Sequence, residues 1–122
     1  MANEVTLTAT LNYADSEGSN ETLQVADKQA NVASKIYTKN KQNIGTTEEA
    51  IKLGEVASLG WAIFINRDPT NFINIKAGTG GTVIVKLLPG ELAMFRFGSG
   101  ITAPFAIADT APCQLEYMIC SL

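Results

Sequence analysis

The most regular alternation of apolar and polar residues lies near the start of the chain. A period of two predicts a β-strand with one apolar and one polar face, here half-buried with threonines toward solvent or a partner. The apolar positions are Val5, Leu7, Ala9, Leu11 and Tyr13, and the polar ones are Thr6, Thr8, Thr10 and Asn12. Residues 15–20 have the composition of a turn, and Glu21–Ala26 is predicted to return as a short strand.

The most apolar stretch of the chain is Leu59–Ile75. In its first part Trp61 and Phe64 fall on opposite faces, and both faces are apolar, which is typical of a central strand. Asp68-Pro69 predicts a turn, because Asp can bond its own backbone and Pro supplies the required φ. We therefore predict a β-hairpin at the middle of the domain, with Trp61 in the core.

The rest of the chain consists of short β-type runs separated by turn signals. These runs are Lys35–Ile44, Thr82–Leu88, Leu92–Phe97, Phe105–Ala108 and Cys113–Ser121. Lys39 and Lys41 mark the first run as an exposed or edge strand. Residues 46–54 fit a short helix, with a capping box at Thr46 and Glu49, or a strand; we favour the strand because so short a helix is marginal.

Eight to ten short strands of this kind predict an all-β fold. The spacing of the turns favours an antiparallel β-sandwich or barrel, jelly-roll-like, and the length of 122 residues suits a single domain covering residues 1–122. Pro89-Gly90 predicts a type II turn between two of these strands.

Charge is low and unevenly distributed. The net charge is −3 and no long basic run is present, so nucleic acid is not an expected partner. No apolar stretch approaches the ~20 residues that a membrane span needs, so a membrane is not expected either. Residues 1–27 carry five acids and no base, whereas residues 28–45 carry four lysines and no acid. Such segments can attract neighbouring copies or partners, but we favour the simpler explanation of two solvated loops and a solvated strand face, because charge runs usually serve only solubility. The first residues resemble no signal peptide, so secretion is not expected.

The side chains that most often perform catalysis are scarce. The sequence has no histidine, which removes the commonest general base and zinc ligand. Cys113 and Cys120 lie seven residues apart in one predicted strand, roughly 23 Å at the rise of a strand, which is too far for a disulfide or a shared metal. We expect two free thiols, as in a reducing cytoplasm.

Two loops superficially resemble binding motifs. Residues 77–82 are rich in glycine but lack the Gly-Lys-Ser/Thr ending of a phosphate loop, so they predict a hairpin turn. Asp15, Glu17, Ser19 and Glu21 offer oxygens at alternate positions, but the spacing misses the calcium loop of EF-hands and indicates a solvated turn. We therefore expect no catalytic residue, cofactor or metal; a hydrolase would need a carboxylate pair assembled by the fold.

Three stretches carry a resemblance to a known family. They are LGWAIFINRDPTNFINI (59–75), LPGELAMFRF (88–97) and AIADTAPCQLEYMI (106–119). In their residues, their order along the chain and their spacing, these stretches resemble small virion structural proteins of tailed bacteriophages. The resemblance implies a non-enzymatic β-sandwich of the head decoration, cement or neck-adaptor type, located in the virion and assembled in the host cytoplasm. The implied partners are the major capsid protein or other virion proteins, together with further copies of the chain as a homo-oligomer.

Contact surfaces for such a role are predicted on two strands, either of which could add to a partner's sheet. The predicted contact residues are Thr6, Thr8, Thr10, Lys35, Tyr37, Lys39 and Lys41. The alternative function is a carbohydrate- or receptor-binding β-sandwich module of a phage tail or fibre. Such a module would use an exposed aromatic platform, for which Tyr37 is the best candidate.

Overall fold

The protein is all-β with no helix among the residues described, which are 4–122 of a computed structural model. Residues 4–122 contain ten strands; the run Leu59–Ile75 includes most of two of them, and every other predicted run contains one. They are β1 (Val5–Ala14), β2 (Asn20–Ala30), β3 (Tyr37–Ile44), β4 (Glu49–Ala50), β5 (Leu59–Asn66), β6 (Ile73–Lys76), β7 (Val83–Leu87), β8 (Leu92–Arg96), β9 (Phe105–Ala108) and β10 (Cys113–Ser121). All pairings are antiparallel, so the predicted fold class is confirmed.

The chain divides into two compact units, residues 1–33 and 34–122. The first contains the two-stranded sheet of β1 and β2, and the second contains the other eight strands. We call them the hairpin unit and the sandwich unit. The prediction of a single domain over residues 1–122 stays a prediction.

In the hairpin unit, β1 and β2 form the predicted hairpin, with a longer second strand than expected. Its turn is held by Asp15, whose Oδ1 accepts hydrogen bonds from the backbone N–H groups of Glu17 (2.9 Å) and Ser19 (3.1 Å). The register shifts between Leu7 and Ala9, where β2 carries an additional residue. Asp27 lies there with φ of 55°, a left-handed conformation that is frequent in β-bulges.

The sandwich unit contains two four-stranded sheets. Their strand orders are β3-β10-β5-β8 and β4-β9-β6-β7, so successive strands repeatedly cross from one sheet to the other. This wrapping is the order expected of eight jelly-roll strands. The jelly-roll assignment itself stays a prediction.

Both sheets contribute to one hydrophobic core, as expected of a sandwich-like arrangement. Phe64 of β5 is fully buried, and its ring centroid lies 5.8 Å from those of Phe95 and Tyr117 and 6.0 Å from that of Phe97. The other sheet contributes the buried side chains Ile73, Ile75, Leu87, Ala106 and Ala108. Alternate residues of each strand thus face the shared interior, as the period-two pattern predicted.

The central hairpin predicted over Leu59–Ile75 is wrong. β5 and β6 belong to different sheets, because β5 already has β10 and β8 on its two sides. The chain turns a corner at Asn66, a fully buried side chain. Asn66 Nδ2 donates to the carbonyl oxygens of Asn71 and Leu87, and its Oδ1 accepts from the backbone N–H of Asp68. Asp68 Oδ2 accepts hydrogen bonds from the backbone N–H groups of Thr70 and Asn71, so the predicted turn chemistry at Asp68 is confirmed, but this turn joins two sheets.

Four other local predictions agree with the structure. β3 is an edge strand with β10 as its partner, and residues 46–54 contain the two-residue strand β4. Gly90 has φ of 80°, and the Glu91 N–H donates to the Leu88 carbonyl, as in a type II turn. Residues 77–82 form a hairpin turn that joins β6 to β7.

Candidate protein-contact surfaces

The first candidate surface is the outer face of the sheet β3-β10-β5-β8, which we call the outer face. Directly opposite residues of an antiparallel ladder lie on the same side of a sheet, so the register identifies its members. One row across the sheet runs Lys39, Met118, Ile63, Met94. The outer face also contains Tyr37, Lys41, Glu116, Trp61, Ile65, Leu92 and Arg96.

The outer face combines an apolar centre with charged margins. Ile63 and Ile65 are partly exposed, and Leu92 and Met118 are exposed. On the β10 side, Glu116 Oε1 lies 2.7 Å from Nε of Arg67, and this hydrogen bond holds the pKa of Glu116 below its usual range. Apolar surface bordered by charge is the usual composition of a protein-contact site.

Trp61 lies on the outer face, so its predicted place in the core is wrong. It is partly exposed and stands opposite Arg96, whose guanidinium carbon lies 5.8 Å from the ring centroid. The sequence pattern misleads here because β5 is apolar on both faces, and from Trp61 onward only its even-numbered side chains, such as Phe64, reach the core. The outward residues Ile63, Ile65, Met94 and Met118 were likewise missed as contact candidates.

The structure brings three of the predicted contact residues together. Tyr37, Lys39 and Lys41 all lie exposed on the outer-face side of β3. Lys35 is also exposed and precedes the strand, with a left-handed φ of 59°. The prediction of their role in contacts stays a prediction, and its geometric requirement of exposure is met.

The other predicted contact residues belong to the hairpin unit. Thr6, Thr8 and Thr10 are exposed on one side of β1. The Thr8 hydroxyl oxygen accepts a 3.2 Å hydrogen bond from the Asp27 backbone N–H at the bulge. This threonine thus holds the bulge in place, whereas Thr6 and Thr10 stand opposite Gln29 and Gln24.

The opposite side of the hairpin is a second candidate surface, which we call the hairpin face. Its exposed apolar side chains include Leu11 and Leu23, directly opposite each other and 74% and 76% exposed. Tyr13 and Val25 are exposed as well. The predicted half-buried state of β1 is therefore wrong for this part of the strand, because a two-stranded sheet has no second layer of its own.

The reactive groups of the described chain are held in structural roles. Cys113 and Cys120 are free and buried, and burial raises the pKa of each thiol, so both are poor nucleophiles. Residues 4–122 contain no cluster of three or more side chains suited to hold a metal ion. None of these residues forms a helix long and apolar enough to cross a membrane.

A clasp around Glu48 holds the loop between β6 and β7. Its carboxylate accepts hydrogen bonds from Lys76 Nζ, the Thr79 hydroxyl (2.8 Å) and the Gly80 N–H (2.7 Å). These bonds, first of all the one from Lys76, lower the pKa of Glu48 to about 2. The glycine-rich loop is thus fixed by a carboxylate, which occupies the N–H group that an anionic ligand would need.

An open apolar cavity of about 320 Å³ lies beside β7 and β8. Its lining includes Ile84, Val85, Phe95 and Ile101, and among the described residues Arg96 is the one charged residue that lines it. The cavity therefore offers contact with apolar groups and no pair of acid and base side chains.

Comparison of the chain with models of known families, with curated proteins and with solved structures finds no match in any of the three. The resemblance to phage virion proteins consequently stays a prediction.

Proposed function

We propose that this protein is a non-enzymatic virion structural protein of a tailed bacteriophage, a capsid decoration or cement subunit. The observation that carries the proposal is the outer face, where Ile63, Met94 and Met118 form an apolar row that ends at Lys39. A sheet face of this composition is suited to contact a protein over many small side-chain contacts.

The edge of β3 adds a second mode of contact. β3 pairs with β10 on one side, and on its other side no strand of residues 4–122 pairs with it in its sheet. A strand of a neighbouring subunit can add there through main-chain hydrogen bonds, while Lys39 and Lys41 limit pairing to partners with acidic or neutral strands. The proposed partners are the major capsid protein or other virion proteins.

Many copies bound to one lattice make weak contacts effective. A symmetric particle presents the same binding site repeatedly, and a homo-oligomer that engages several sites at once gains affinity without any new contact. The proposed location is therefore the virion, after assembly in the host cytoplasm. Neither a cofactor nor a metal is part of this proposal.

The experiment has two arms. Mass spectrometry of purified virions should detect the protein at high copy number. Particles assembled without it should bind the purified protein, and the double variant Lys39→Glu/Lys41→Glu should bind at least tenfold more weakly because it reverses the charge at the margin of the outer face.

Lys52→Glu is the matched control, since Lys52 is exposed and lies in the loop after β4. It should bind particles like the original protein. Absence of the protein from purified virions would overturn the proposal, and equal loss of binding in the control would move the contact away from the outer face.

One observation favours the alternative, a carbohydrate- or receptor-binding module. Tyr37 is 63% exposed and Trp61 is partly exposed, and both belong to the outer face. Sugars stack on such rings. The original protein would then bind a glycan on an array, Tyr37→Ala would abolish that binding, and the protein would not bind particles. This set of results would favour the carbohydrate- or receptor-binding function over the capsid role.

A further inference from the structure

The hairpin face exposes large apolar side chains on a sheet of two strands. Its residues form cross-strand rows, and each row has one residue from β1 and one from β2. From one end to the other the rows are Leu7–Lys28, Ala9–Val25, Leu11–Leu23 and Tyr13–Glu21. The last three rows contain the side chains that are most exposed, Leu11 and Leu23 foremost.

Two-stranded hairpins are marginal in water, because one pair of strands buries little apolar surface. β1 and β2 have 10 and 11 residues, longer than the five or six of an average strand. Exposed contiguous apolar surface on such an element usually marks a contact with another protein. A covering layer would bury Leu11 and Leu23 and stabilise the hairpin.

The rows are arranged so that the face is complementary to itself. A basic residue, Lys28, lies near one end, and an acidic residue, Glu21, lies at the other. The large pair Leu11–Leu23 stands beside the small pair Ala9–Val25 at the middle. A two-fold axis between these middle rows places large side chains over small ones, which is how two sheet layers interdigitate.

The same axis brings opposite charges together twice. Glu21 of one copy then faces Lys28 of the other, and the symmetry repeats the pair at the far end. A parallel alignment would instead place the acidic turns, with Asp15 and Glu17, against each other. Charge therefore selects the antiparallel two-fold arrangement.

We propose that the hairpin face binds the hairpin face of a second copy of this chain, antiparallel and related by a two-fold axis. This dimer specifies how copies of the chain associate in the homo-oligomer of the proposed function, and it rests on the proposed function in that respect alone. The contact itself can be measured with the purified protein.

The size of the face sets the expected strength. Four rows of two strands cover roughly 200–300 Å² per copy at ordinary strand spacings, well below the ~800 Å² per partner of a standard interface. The dimer is therefore weak, and it becomes effective when other contacts hold copies near each other. We expect it to form between about 10 µM and 1 mM, a range that suits sedimentation equilibrium.

Charge reversal tests the arrangement. Glu21→Lys and Lys28→Glu should each raise the dimer dissociation constant about tenfold, because each converts two attractive pairs into repulsive ones. The double variant Glu21→Lys/Lys28→Glu should return it to within about twofold of the original. Within one chain these positions lie roughly 20 Å apart along the strands, beyond the screening length, so such rescue requires a second copy.

Controls make the same charge changes away from the hairpin face. Glu17→Lys alters the turn and Lys52→Glu alters an exposed loop of the sandwich unit, and each should change the dissociation constant less than twofold. Circular dichroism should confirm that all variants keep their strand content.

Two results would overturn the inference. One is a monomer throughout the concentration range, which would mean that the partner of the hairpin face is a different protein. The other is an oligomer that neither Glu21→Lys nor Lys28→Glu weakens, which would mean that the copies associate through another surface. Neither result affects detection of the protein in virions, so the two proposals fail separately.

Discussion

Strands in both units have the same alternation of apolar and polar residues, but their apolar side chains are buried in the sandwich unit and exposed in the hairpin unit. Tyr13 of β1 and Tyr117 of β10 both follow apolar residues at alternate positions, yet Tyr13 is 58% exposed and Tyr117 is 1% exposed. The difference lies in the number of layers, since the sandwich unit has two four-stranded sheets and the hairpin unit has one two-stranded sheet. Alternation of residues thus specifies the faces of a strand, and a second layer decides which face is buried.

Polar groups follow the same division. In the sandwich unit, the buried Gln42 donates through Nε2 to the Ala50 carbonyl (2.9 Å), and its Oε1 accepts from the Lys52 N–H (3.0 Å). In the hairpin unit, the Thr22 hydroxyl bonds to Asn12 Oδ1 at 2.6 Å on an exposed surface. Loss of the Gln42 hydrogen bonds leaves buried polar groups without partners. Loss of the Thr22–Asn12 hydrogen bond leaves polar groups that water can reach.

The largest expected difference comes from truncating matched leucines. Leu115→Ala should lower the free energy of unfolding by about 2–5 kcal/mol, because Leu115 is fully buried in the core. Leu11→Ala should change it by less than about 0.5 kcal/mol, since most of this side chain is in water. Urea unfolding of dilute protein, followed by far-ultraviolet circular dichroism, which reports the strands of both units, measures both, and equal losses would refute the contrast between the units.

A smaller difference is expected from the tyrosine hydroxyls. The Tyr117 hydroxyl lies 2.8 Å from the Lys52 carbonyl oxygen and 3.0 Å from Gln42 Oε1, whereas that of Tyr13 donates to the exposed Asp15 carboxylate at 3.1 Å. Tyr117→Phe should destabilise the protein by about 1–2 kcal/mol, and Tyr13→Phe by less than about 0.5 kcal/mol. Thermal unfolding of the two variants compares them; a larger loss for Tyr13→Phe would contradict the assignment.

The smallest expected effect is a change in the acid dependence of stability. Because the folded-state pKa of Glu48 is lowered from 4.5 to about 2, its clasp stabilises the protein above pH 4.5 and this contribution disappears as the pH falls toward 2. Glu48→Gln should therefore lower the melting temperature at pH 6 and flatten its decline between pH 4.5 and 2.

The hairpin unit supplies the control for that measurement. The pKa of Asp15 is also lowered, by the N–H groups of Ser19 and Glu17, but this carboxylate belongs to an exposed turn. Asp15→Asn should leave the melting curve of the sandwich unit unchanged and accelerate hydrogen exchange in the turn. An identical pH profile for Glu48→Gln and the original protein would show that the clasp does not stabilise the fold.

Much of the fold was predictable because local chemistry specifies it. Period-two alternation located strands such as Cys113–Ser121 and Phe105–Ala108 with the bounds that the structure has. Gly90 and Asp68 identified turns through the backbone conformations and hydrogen bonds that these residues favour. The exposure of Tyr37, Lys39 and Lys41 followed from their place on an edge strand.

Two features were not predictable because they depend on distant partners. The run Leu59–Ile75 contains every local signal of a hairpin, but β5 pairs with β10 and β8, which come much later in the chain. Trp61 lies in the most apolar run, yet it faces outward because the core already occupies the other side of β5. A strand apolar on both faces does not reveal which face the second sheet will cover.

The amino-acid sequence by itself determined the class of the fold, the positions of most strands and turns, and the free state of the two cysteines. All of these follow from interactions between near neighbours or from the reach of an extended strand. The tertiary structure alone decided which sheet each strand joins, the corner at Asn66, and the apolar surfaces left exposed on the outer face and the hairpin face. Those outcomes depend on pairing and layering between distant segments, where the free energy of burial outweighs local preference.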